Sequence, residues 1–280
     1  MSNKTDDNSN VIQLETGFSP ERLQELNARF EGAHPDEILK WGFQYFGSDM
    51  VLGTGFGPSG VYLIDRIVSE GLSVPIFYLD TQLLFDETYT LRDQLEERYD
   101  IDIIQVLPEL TPDQQAEKHG GELWKRDPDN CCYMRKVLPL KNFLSDKKAW
   151  ITGVRRNQSE TRQKTEIIEW DPVNEVVKMN PLATWTNEQV WDYILERDLP
   201  YNPLHDDGYP SIGCIPCTQP ANNDFDERSG RWKDMDKTEC GIHIYTQEYQ
   251  KGNGKSGKEN NGLSYDYKIL RSNSSTNSKE

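Results

Sequence analysis

The sequence predicts an α/β protein whose parallel β-sheet is flanked by helices. Short apolar runs alternate with longer amphipathic segments from about residue 50 to residue 154, a pattern typical of parallel strands joined by crossover helices. The chain has 280 residues and 35% hydrophobic content, enough for one substantial core. We therefore expect one domain over 15–246, ending in a loop-rich C-terminal segment. The polar stretches 1–14 and 247–280 are predicted to be disordered.

Each element is predicted from its own local pattern. Strands are expected at 50–54, 74–79, 103–107 and 149–154. Helices are expected at 59–70, 86–99, 112–118 and 133–144, the second with Asp86 as its N-cap. The capping box Thr186-Asn-Glu-Gln189 predicts a further helix over 190–197. Beyond Leu199 we expect loops.

Three polar loops follow predicted strands, and sheets of this kind bind ligands at the carboxyl ends of their strands. The first, 53–60, is rich in glycine and can bring backbone N–H groups to an anion at a helix N-terminus. The second begins at Asp80. The third, 153–162, adds guanidinium groups, which match sulfate or phosphate oxygens bidentately. Together the loops predict a site for an adenylate-type ligand with an anionic tail.

The overall charge bounds the choice of partners. A net charge of −16 repels polyanions, which excludes a general nucleic-acid or anionic-membrane role. Positive charge is nevertheless concentrated at 155–164. No stretch approaches the ~18 apolar residues of a membrane span or the apolar core of a signal peptide, so we expect a cytoplasmic protein. In reducing cytosol a spaced set of cysteines is typical of metal binding or catalysis rather than of disulfides.

The five cysteines are the most informative residues. The adjacent pair Cys131-Cys132 and the pair Cys214-x-x-Cys217 supply four thiolates, as a tetrahedral zinc ion or a cubane iron–sulfur cluster requires. Adjacent thiolates reach different irons of a cluster more easily than they share one small Zn²⁺, which favours a [4Fe-4S] cluster. Structural zinc is the alternative. Cys240 is left over as a candidate nucleophile.

The glycine loop admits a second interpretation. Gly55-Phe-Gly-Pro-Ser-Gly60 satisfies the G-x-G-x-x-G pattern of dinucleotide-binding folds, and Asp80 follows at a suitable spacing. Taken alone, this pattern would indicate an NAD-dependent oxidoreductase with a Rossmann-like loop. A third class is a zinc-clamped nucleotide-binding module without redox chemistry, which would have no need of Cys240.

Several motifs, in this order, resemble those of the assimilatory sulfonucleotide reductases, and most closely those of the iron–sulfur adenylyl-sulfate (APS) reductases. They are Leu79-Asp80-Thr81, Cys131-Cys132-x-x-Arg135-Lys136, Gly153-x-Arg155-Arg156-x-Gln158-Ser159 with Thr161-Arg162, Ile212-Gly-Cys214-x-x-Cys217-Thr218 and Glu239-Cys240-Gly-Ile-His243. In the family, the 3′-phosphorylated (PAPS) reductases lack the two cysteine pairs, so the pairs favour APS. A PAPS or dual APS/PAPS reductase is the alternative. The family usually has Gly where this chain has Gln82.

The resemblance implies an adenine-nucleotide hydrolase-like fold and thiol-dependent reduction of APS to sulfite and AMP, in sulfate assimilation and cysteine biosynthesis. It implies Cys240 as the nucleophile, with Lys136 and His243 as further catalytic residues. It implies a [4Fe-4S] cluster, electrostatic or structural in role, on Cys131, Cys132, Cys214 and Cys217. Thioredoxin or glutaredoxin is the implied reductant, and a homo-oligomer is possible. The implied substrate-binding residues are Thr54, Gly57, Ser59, Gly60, Leu79, Asp80, Arg155, Arg156, Gln158, Arg162, Arg228 and Arg231.

Overall fold

The structure is a computed structural model, and it describes residues 18–221, 227–233, 235 and 237–243. Its helices are α1 (Pro20–Phe30), α2 (Pro35–Phe46), α3 (Pro58–Ser69), α4 (Asp86–Tyr99), α5 (Pro112–His119), α6 (Leu123–Arg126), α7 (Pro128–Cys132), α8 (Leu138–Leu144) and α9 (Asn187–Glu196). Its strands are β1 (Met50–Thr54), β2 (Ile76–Leu79), β3 (Ile103–Val106), β4 (Ala149–Ile151), β5 (Ile168–Asp171) and β6 (Val176–Met179). The segments predicted to be disordered, 1–14 and 247–280, lie outside the described residues.

The six strands form one sheet in the order β3-β2-β1-β4-β6-β5. Neighbours pair in parallel except β5 and β6, which pair antiparallel. The predicted parallel sheet and its four predicted strands are confirmed, although β4 ends at Ile151 rather than at residue 154. The chain runs outward from β1 through β2 to β3 and then returns to the other side of β1 with β4. The carboxyl ends of β1 and β4 therefore flank the crevice where such sheets bind ligands.

The β5–β6 hairpin was not predicted, and its sequence explains why. Glu169 lies directly opposite Lys178, and the two form a buried ion pair at 2.6 Å. Charged residues at core positions hide the apolar alternation by which a strand is recognised. On the outer edge, the Asn27 amide of α1 donates to the carbonyl oxygen of Ile168 (2.7 Å) and accepts from its N–H (2.9 Å), which satisfies part of an exposed sheet edge.

Apolar side chains pack on both faces of the sheet. Consecutive β1 residues Val51 and Leu52 belong to different buried clusters, as the two-residue period of a strand requires. The larger cluster buries the inner faces of α2, α3, α4 and α9. The smaller one joins Trp150 of β4 to α8 and, at its margin, to Ile242, two residues after Cys240. The sheet thus has one fully packed face and one face that reaches the C-terminal cysteine.

Local signals at helix ends are mostly confirmed. Both capping-box bonds of Thr186 and Gln189 are present, and α9 begins at Asn187. The prediction of Asp86 as an N-cap is wrong by one residue: Phe85 holds that position and Asp86 begins α4, where its carboxylate still faces the positive end of the helix dipole. The predicted helix at 133–144 starts as a π-helical turn, Tyr133–Val137, before α8. Within the described residues, no helix combines the length and apolar character needed to cross a membrane.

Candidate active site

The loops after β1 and β4 pack against each other at the crevice. A side chain at Gly153 has no room, because its Cβ would lie 2.8 Å from the Cβ of Ser59. On the other loop, Thr54 Oγ1 accepts the N–H of Phe56 at 3.0 Å, and Phe56 has a left-handed φ of 58°. A tight turn and a close loop–loop contact therefore account for the small residues here.

These loops line an open cavity of about 290 Å³, at the lower end of the size range of ligand pockets. Most of the predicted substrate-binding and catalytic residues line it: Thr54, Gly57, Ser59, Gly60, Leu79, Lys136, Arg155, Gln158, Arg162, Arg228, Arg231, Cys240 and His243. The fold thus brings together residues up to 189 positions apart (243 − 54) in one crevice.

Asp80, predicted to contact substrate, is not among the residues that line the cavity. Its carboxylate accepts from the Gln82 N–H (2.7 Å), the Tyr89 hydroxyl (2.7 Å) and the Gln105 amide (2.6 Å). Gln82 has a φ of 55°, which Gly adopts without strain, so Asp80 stabilises the turn at which the chain departs from the family motif. Asp80 thus contacts protein donors, whereas the dinucleotide interpretation requires its carboxylate to face the cavity.

Arg156, also predicted to contact substrate, points to the other side of its loop. Its guanidinium donates to Glu31 at 2.6 and 3.0 Å and to the carbonyl oxygen of Thr165 at 2.8 Å. It does not line the cavity. Arg156 thus fastens the loop 153–162, which we call the arginine loop, to the end of α1.

Arg155 is buried and joins three parts of the chain. Its Nε donates to Ser59 of the glycine loop at 3.0 Å, and one terminal nitrogen donates to Asn187 of α9 (3.0 Å) and to Glu227 (2.7 Å). Burial raises the pKa of Glu227 despite the attraction of Arg155. Arg155 therefore places a positive charge in the cavity wall between the two loops.

Arg162 holds the C-terminal residues against the same wall. Its Nε and one terminal nitrogen donate to the Glu239 carboxylate at 2.7 and 2.9 Å, and the other donates to Gln158 at 2.6 Å. Arg228 contacts the same carboxylate at 3.0 Å. Burial would raise the pKa of Glu239, but these guanidinium groups lower it overall. The residue before Cys240 is thus an ionised carboxylate clamped between two arginines.

The four predicted ligand cysteines line a second, smaller cavity. Cys131 and Cys132 end α7, while Cys214 forms an antiparallel bridge with Leu84 in the loop after β2. Thr81 Oγ1 lies 3.2 Å from the Cys214 sulfur. The loop after β2 therefore joins the two distant cysteine pairs. Among the residues that the structure describes, no group of three or more His, Cys, Asp and Glu side chains is spaced to hold a single metal ion.

Burial makes three of these thiols weak acids. It raises the pKa of Cys131, raises that of Cys132 to about 12 and raises that of Cys217 to about 11. Such thiols are protonated at neutral pH and ionise when a metal cation replaces the proton. The four cysteines around this cavity form a donor set that suits a thiolate-bound metal centre.

Lys136 lines both cavities and links the cysteine set to Cys240. Burial alone would lower the pKa of Lys136, but the surrounding thiolates, including Cys240, raise it. Burial and the charge of Glu239 raise the pKa of Cys240. Lys136, the Ile242 N–H and Arg228 lower it by more, so the pKa of Cys240 lies below its ordinary value. Cys240 therefore carries the conditions for a thiolate nucleophile.

Arg135 lines the second cavity and is buried, with 2% of its surface exposed. It donates to the carbonyl oxygen of Thr81 (2.7 Å), to Gln115 (3.1 Å) and to Gln82 (3.2 Å). The amide nitrogen of Gln115 lies 3.8 Å from the Cys131 sulfur. Arg135 thereby fixes the loop after β2 against the π-helical turn that carries Lys136.

Cation–π contacts to the Trp232 ring and an ion pair hold the described C-terminal residues in place. The buried ring of Trp232 lies under the cationic groups of Arg228, Arg231 and Lys237, at 5.4, 4.6 and 5.6 Å. Lys237 also pairs with Asp129 on α7. These contacts hold the segment that carries Cys240 beside the second cavity, which the other four cysteines line and which we call the cysteine cavity.

His243 lines the first cavity and stacks on Trp150, with ring centroids 5.7 Å apart. Burial holds the pKa of His243 well below its ordinary value, and Lys178, Arg162 and Arg228 add to this effect. The imidazole is therefore neutral, and its place on Trp150 helps to seat the chain end.

Some site residues carried no assigned role in the sequence prediction. Arg135 and Glu239 stand inside the motifs that carried the family resemblance, and that position is the signal by which they could have been found. Glu227 and Trp232 stand in no motif. Buried ion pairs and ring contacts depend on distant partners, which sequence spacing does not show.

Comparisons with known proteins show what this chain is similar to. A family model described as phosphoadenosine phosphosulfate reductase domain matches residues 50–220. The adenosine 5′-phosphosulfate reductase of Salinibacter ruber is 54% identical over 232 residues, covering 82% of this chain and 92% of that protein. The phosphoadenosine 5′-phosphosulfate reductase of Gloeobacter violaceus is 45% identical over 230 residues, covering 81% and 95%. The crystal structure of phosphoadenylyl-sulfate (PAPS) reductase from Candida auris, phosphate complex, has a TM-score of 0.65 and 31% identity, covering 72% of this chain and 98% of that one.

Proposed function

The chain belongs to the phosphoadenosine phosphosulfate reductase family, and we propose that it is an adenylyl-sulfate reductase that converts APS to sulfite and AMP. Relatives that are 46–54% identical are named adenosine 5′-phosphosulfate reductase. The observation that carries the proposal is the division of the five thiols. Four line the smaller cavity, and Cys240 lies with Lys136 in the larger, adjoining cavity, in which the nucleotide is proposed to bind and which we call the nucleotide cavity. The reaction supplies sulfite for sulfate assimilation and cysteine biosynthesis.

The nucleotide is proposed to occupy the crevice between the β1 and β4 loops. The glycine loop and the start of α3 offer backbone N–H groups to a phosphate, as helix N-termini commonly do. Arg155 adds a buried positive charge from the other loop. Lys136, Arg228 and Arg231 lie with Cys240 along the same cavity and are placed to attract the sulfate end.

The proposed chemistry is a two-step thiol displacement. The Cys240 thiolate attacks the sulfate sulfur of APS, the sulfur–oxygen bond to the phosphate breaks, and AMP leaves with that electron pair. Cys240 then carries an S-sulfonate. A thiol of thioredoxin or glutaredoxin attacks the Cys240 sulfur and releases sulfite, which leaves a mixed disulfide. The second thiol of that reductant then attacks the mixed disulfide and frees Cys240. The reductant supplies both electrons, and Cys240 returns to a thiol.

The four remaining cysteines are proposed to hold a [4Fe-4S] cluster. The buried donor set of Cys131, Cys132, Cys214 and Cys217 fits such a group, because each thiol opens on the same cavity. When bound, the cluster would add fixed charge beside the sulfate site and join two chain segments. Lys136 borders both cavities and would therefore couple the charge of the cluster electrostatically to the sulfate site.

A reductase for PAPS is the second candidate, because one of the relatives is named for that nucleotide. The cysteine pairs favour APS over PAPS. The proposed nucleophile and its sulfur chemistry are the same for both substrates, so the choice depends on the nucleotide.

Mass spectrometry of the protein mixed with APS and no reductant tests the proposal. The peptide that contains Cys240 is expected to gain the mass of one SO₃ group, with one AMP released per chain. Cys240→Ser is expected to bind APS yet form no adduct, because a hydroxyl remains protonated where the thiol ionises. Incubation with AMP in place of APS is the blank. An adduct on another residue, or sustained sulfite formation by the serine variant, would contradict the assignment.

A further inference from the structure

Glu239 ties the nucleophile to the arginine loop. Its carboxylate accepts from Arg162 at 2.7 and 2.9 Å, from Thr161 at 3.2 Å, and lies 3.0 Å from Arg228. Only 3% of the residue is exposed. Adjacent Cα atoms are about 3.8 Å apart, so a carboxylate held at this many points restricts the position of Cys240.

The charge of Glu239 is unfavourable for the thiolate beside it. It raises the pKa of Cys240, against the lowering effect of Lys136, the Ile242 N–H and Arg228. A buried carboxylate also loses its hydration. The carboxylate offsets the buried charges of Arg162 and Arg228, and its charge opposes the thiolate, so we expect its benefit to Cys240 to lie in geometry.

Arg162 is fully used in holding Glu239 and Gln158. All three of its side-chain nitrogens donate to protein acceptors, two bonds going to Glu239 and one to Gln158. Arg162 also lines the nucleotide cavity. The pair therefore places the chain next to Cys240 at the wall of that cavity.

We propose that Glu239 is the positioning residue of Cys240: its carboxylate, clamped between Arg162 and Arg228, holds the thiol in the nucleotide cavity beside Lys136. The role rests on the proposed function, in which Cys240 is the nucleophile. Glu239 acts through Cys240 and touches no reacting atom. Its loss is therefore expected to slow sulfur transfer without weakening nucleotide binding.

Glu239→Gln tests this role, because it keeps the shape of the side chain and removes the charge that holds both guanidinium groups. Single-turnover formation of the Cys240 adduct is expected to slow by about tenfold or more. The Kd for AMP, measured by calorimetry, is expected not to rise. Glu160→Gln is the matched control, with the same change of charge on an exposed residue of the same loop, and both quantities are expected to stay unchanged.

Alkylation of Cys240 by iodoacetamide is a second readout, independent of APS. If Glu239 holds Cys240 beside Lys136, the glutamine variant loses the effect of Lys136. The midpoint of the alkylation rate then moves to higher pH, and the limiting rate at high pH rises because the thiol is more accessible. If Glu239 acts through its charge alone, the midpoint moves to lower pH.

Glu239→Asp covers the case in which the glutamine variant fails to fold. It keeps the charge but is one methylene shorter, so a smaller shift of the midpoint to higher pH is expected. A midpoint that moves to lower pH in Glu239→Gln, an aspartate variant identical to wild type, or a parallel loss of AMP affinity and adduct rate would each overturn the proposal. Absence of an adduct in wild type would instead refute the proposed function, and the alkylation result would still decide the role of Glu239.

Discussion

At the scale of single residues, the environment assigns different chemistry to identical side chains. Burial raises the pKa of Cys132 to about 12 and that of Cys217 to about 11, whereas nearby positive charge lowers that of Cys240. The first two thiols need a metal to ionise at neutral pH, whereas the surroundings of Cys240 favour its thiolate form. The proposed nucleophile thus differs from the proposed ligands because Lys136, the Ile242 N–H and Arg228 outweigh burial at Cys240, whereas burial prevails at Cys132 and Cys217.

The arginines of one loop differ in the same way. Arg155 is buried against Glu227 in the cavity wall, whereas Arg156 pairs with the half-exposed Glu31 on the outside. Breaking a buried pair leaves a desolvated charge, while an exposed pair contributes little.

Arg155→Ala is expected to lower the free energy of unfolding by about 3–5 kcal/mol, because it leaves Glu227 unpaired. It is also expected to weaken AMP binding. The matched change Arg156→Ala is expected to cost about 1 kcal/mol or less and to leave AMP binding unchanged. Chemical denaturation and calorimetry measure both quantities. Equal losses in the two variants would show that the two side chains do not differ as their contacts indicate.

At the scale of elements, three segments assemble the cysteine cavity. The end of α7 brings one pair, the turn Ile215–Cys217 brings the other, and the loop after β2 lies between them. The Ile215 N–H donates to the Leu83 carbonyl oxygen at 2.8 Å, and Arg135 ties the same loop to the π-helical turn. A group bound at this junction therefore clamps segments that are distant in sequence.

Replacement of Cys132 or Cys214 by Ser is expected to remove a thiolate ligand, to abolish the visible absorbance of anaerobically purified protein and to lower its melting temperature, because metal binding is coupled to folding. Iron, zinc and sulfide analysis with thermal unfolding checks this. Cys240→Ser is the control and is expected to keep the absorbance. A colourless wild-type protein with one equivalent of zinc would show that the metal centre is a zinc site.

At the scale of the whole molecule, an acidic protein contains a positively charged crevice. The net charge is −16, yet Arg155, Arg162 and Lys136 converge at the point where the strand order reverses. General binding of polyanions is disfavoured, while a small anion that enters the crevice meets concentrated positive charge. The fold thus concentrates positive charge in a crevice that a small anion can enter.

The expected substrate preference is APS over PAPS, with sulfite and AMP as products. Comparison of kcat/KM for the two nucleotides with a thioredoxin system measures it. NADH is expected to have no effect in the absence of a thiol-reducing system, which separates this activity from that of a dinucleotide oxidoreductase. If PAPS is preferred tenfold or more, the inference from the cysteine pairs is wrong for this chain.

Some features were determined by the sequence alone, because their signals are local. Apolar period and capping residues predicted the parallel strands and α9, and the spacing of the cysteines separated four thiols from Cys240. Motif order indicated the family, which the comparisons confirmed.

Other features were decided only by the tertiary structure, because they depend on which distant charges share a buried place. Asp80 and Arg156 belong to sequence motifs but hold loops outside the cavity, while the hairpin with Glu169 and Lys178 is stabilised by charges that hide its strand pattern. The clamp on Glu239 joins residues 77 positions apart. A buried charge is stable only with its partner, and no local pattern of the sequence specifies that partner.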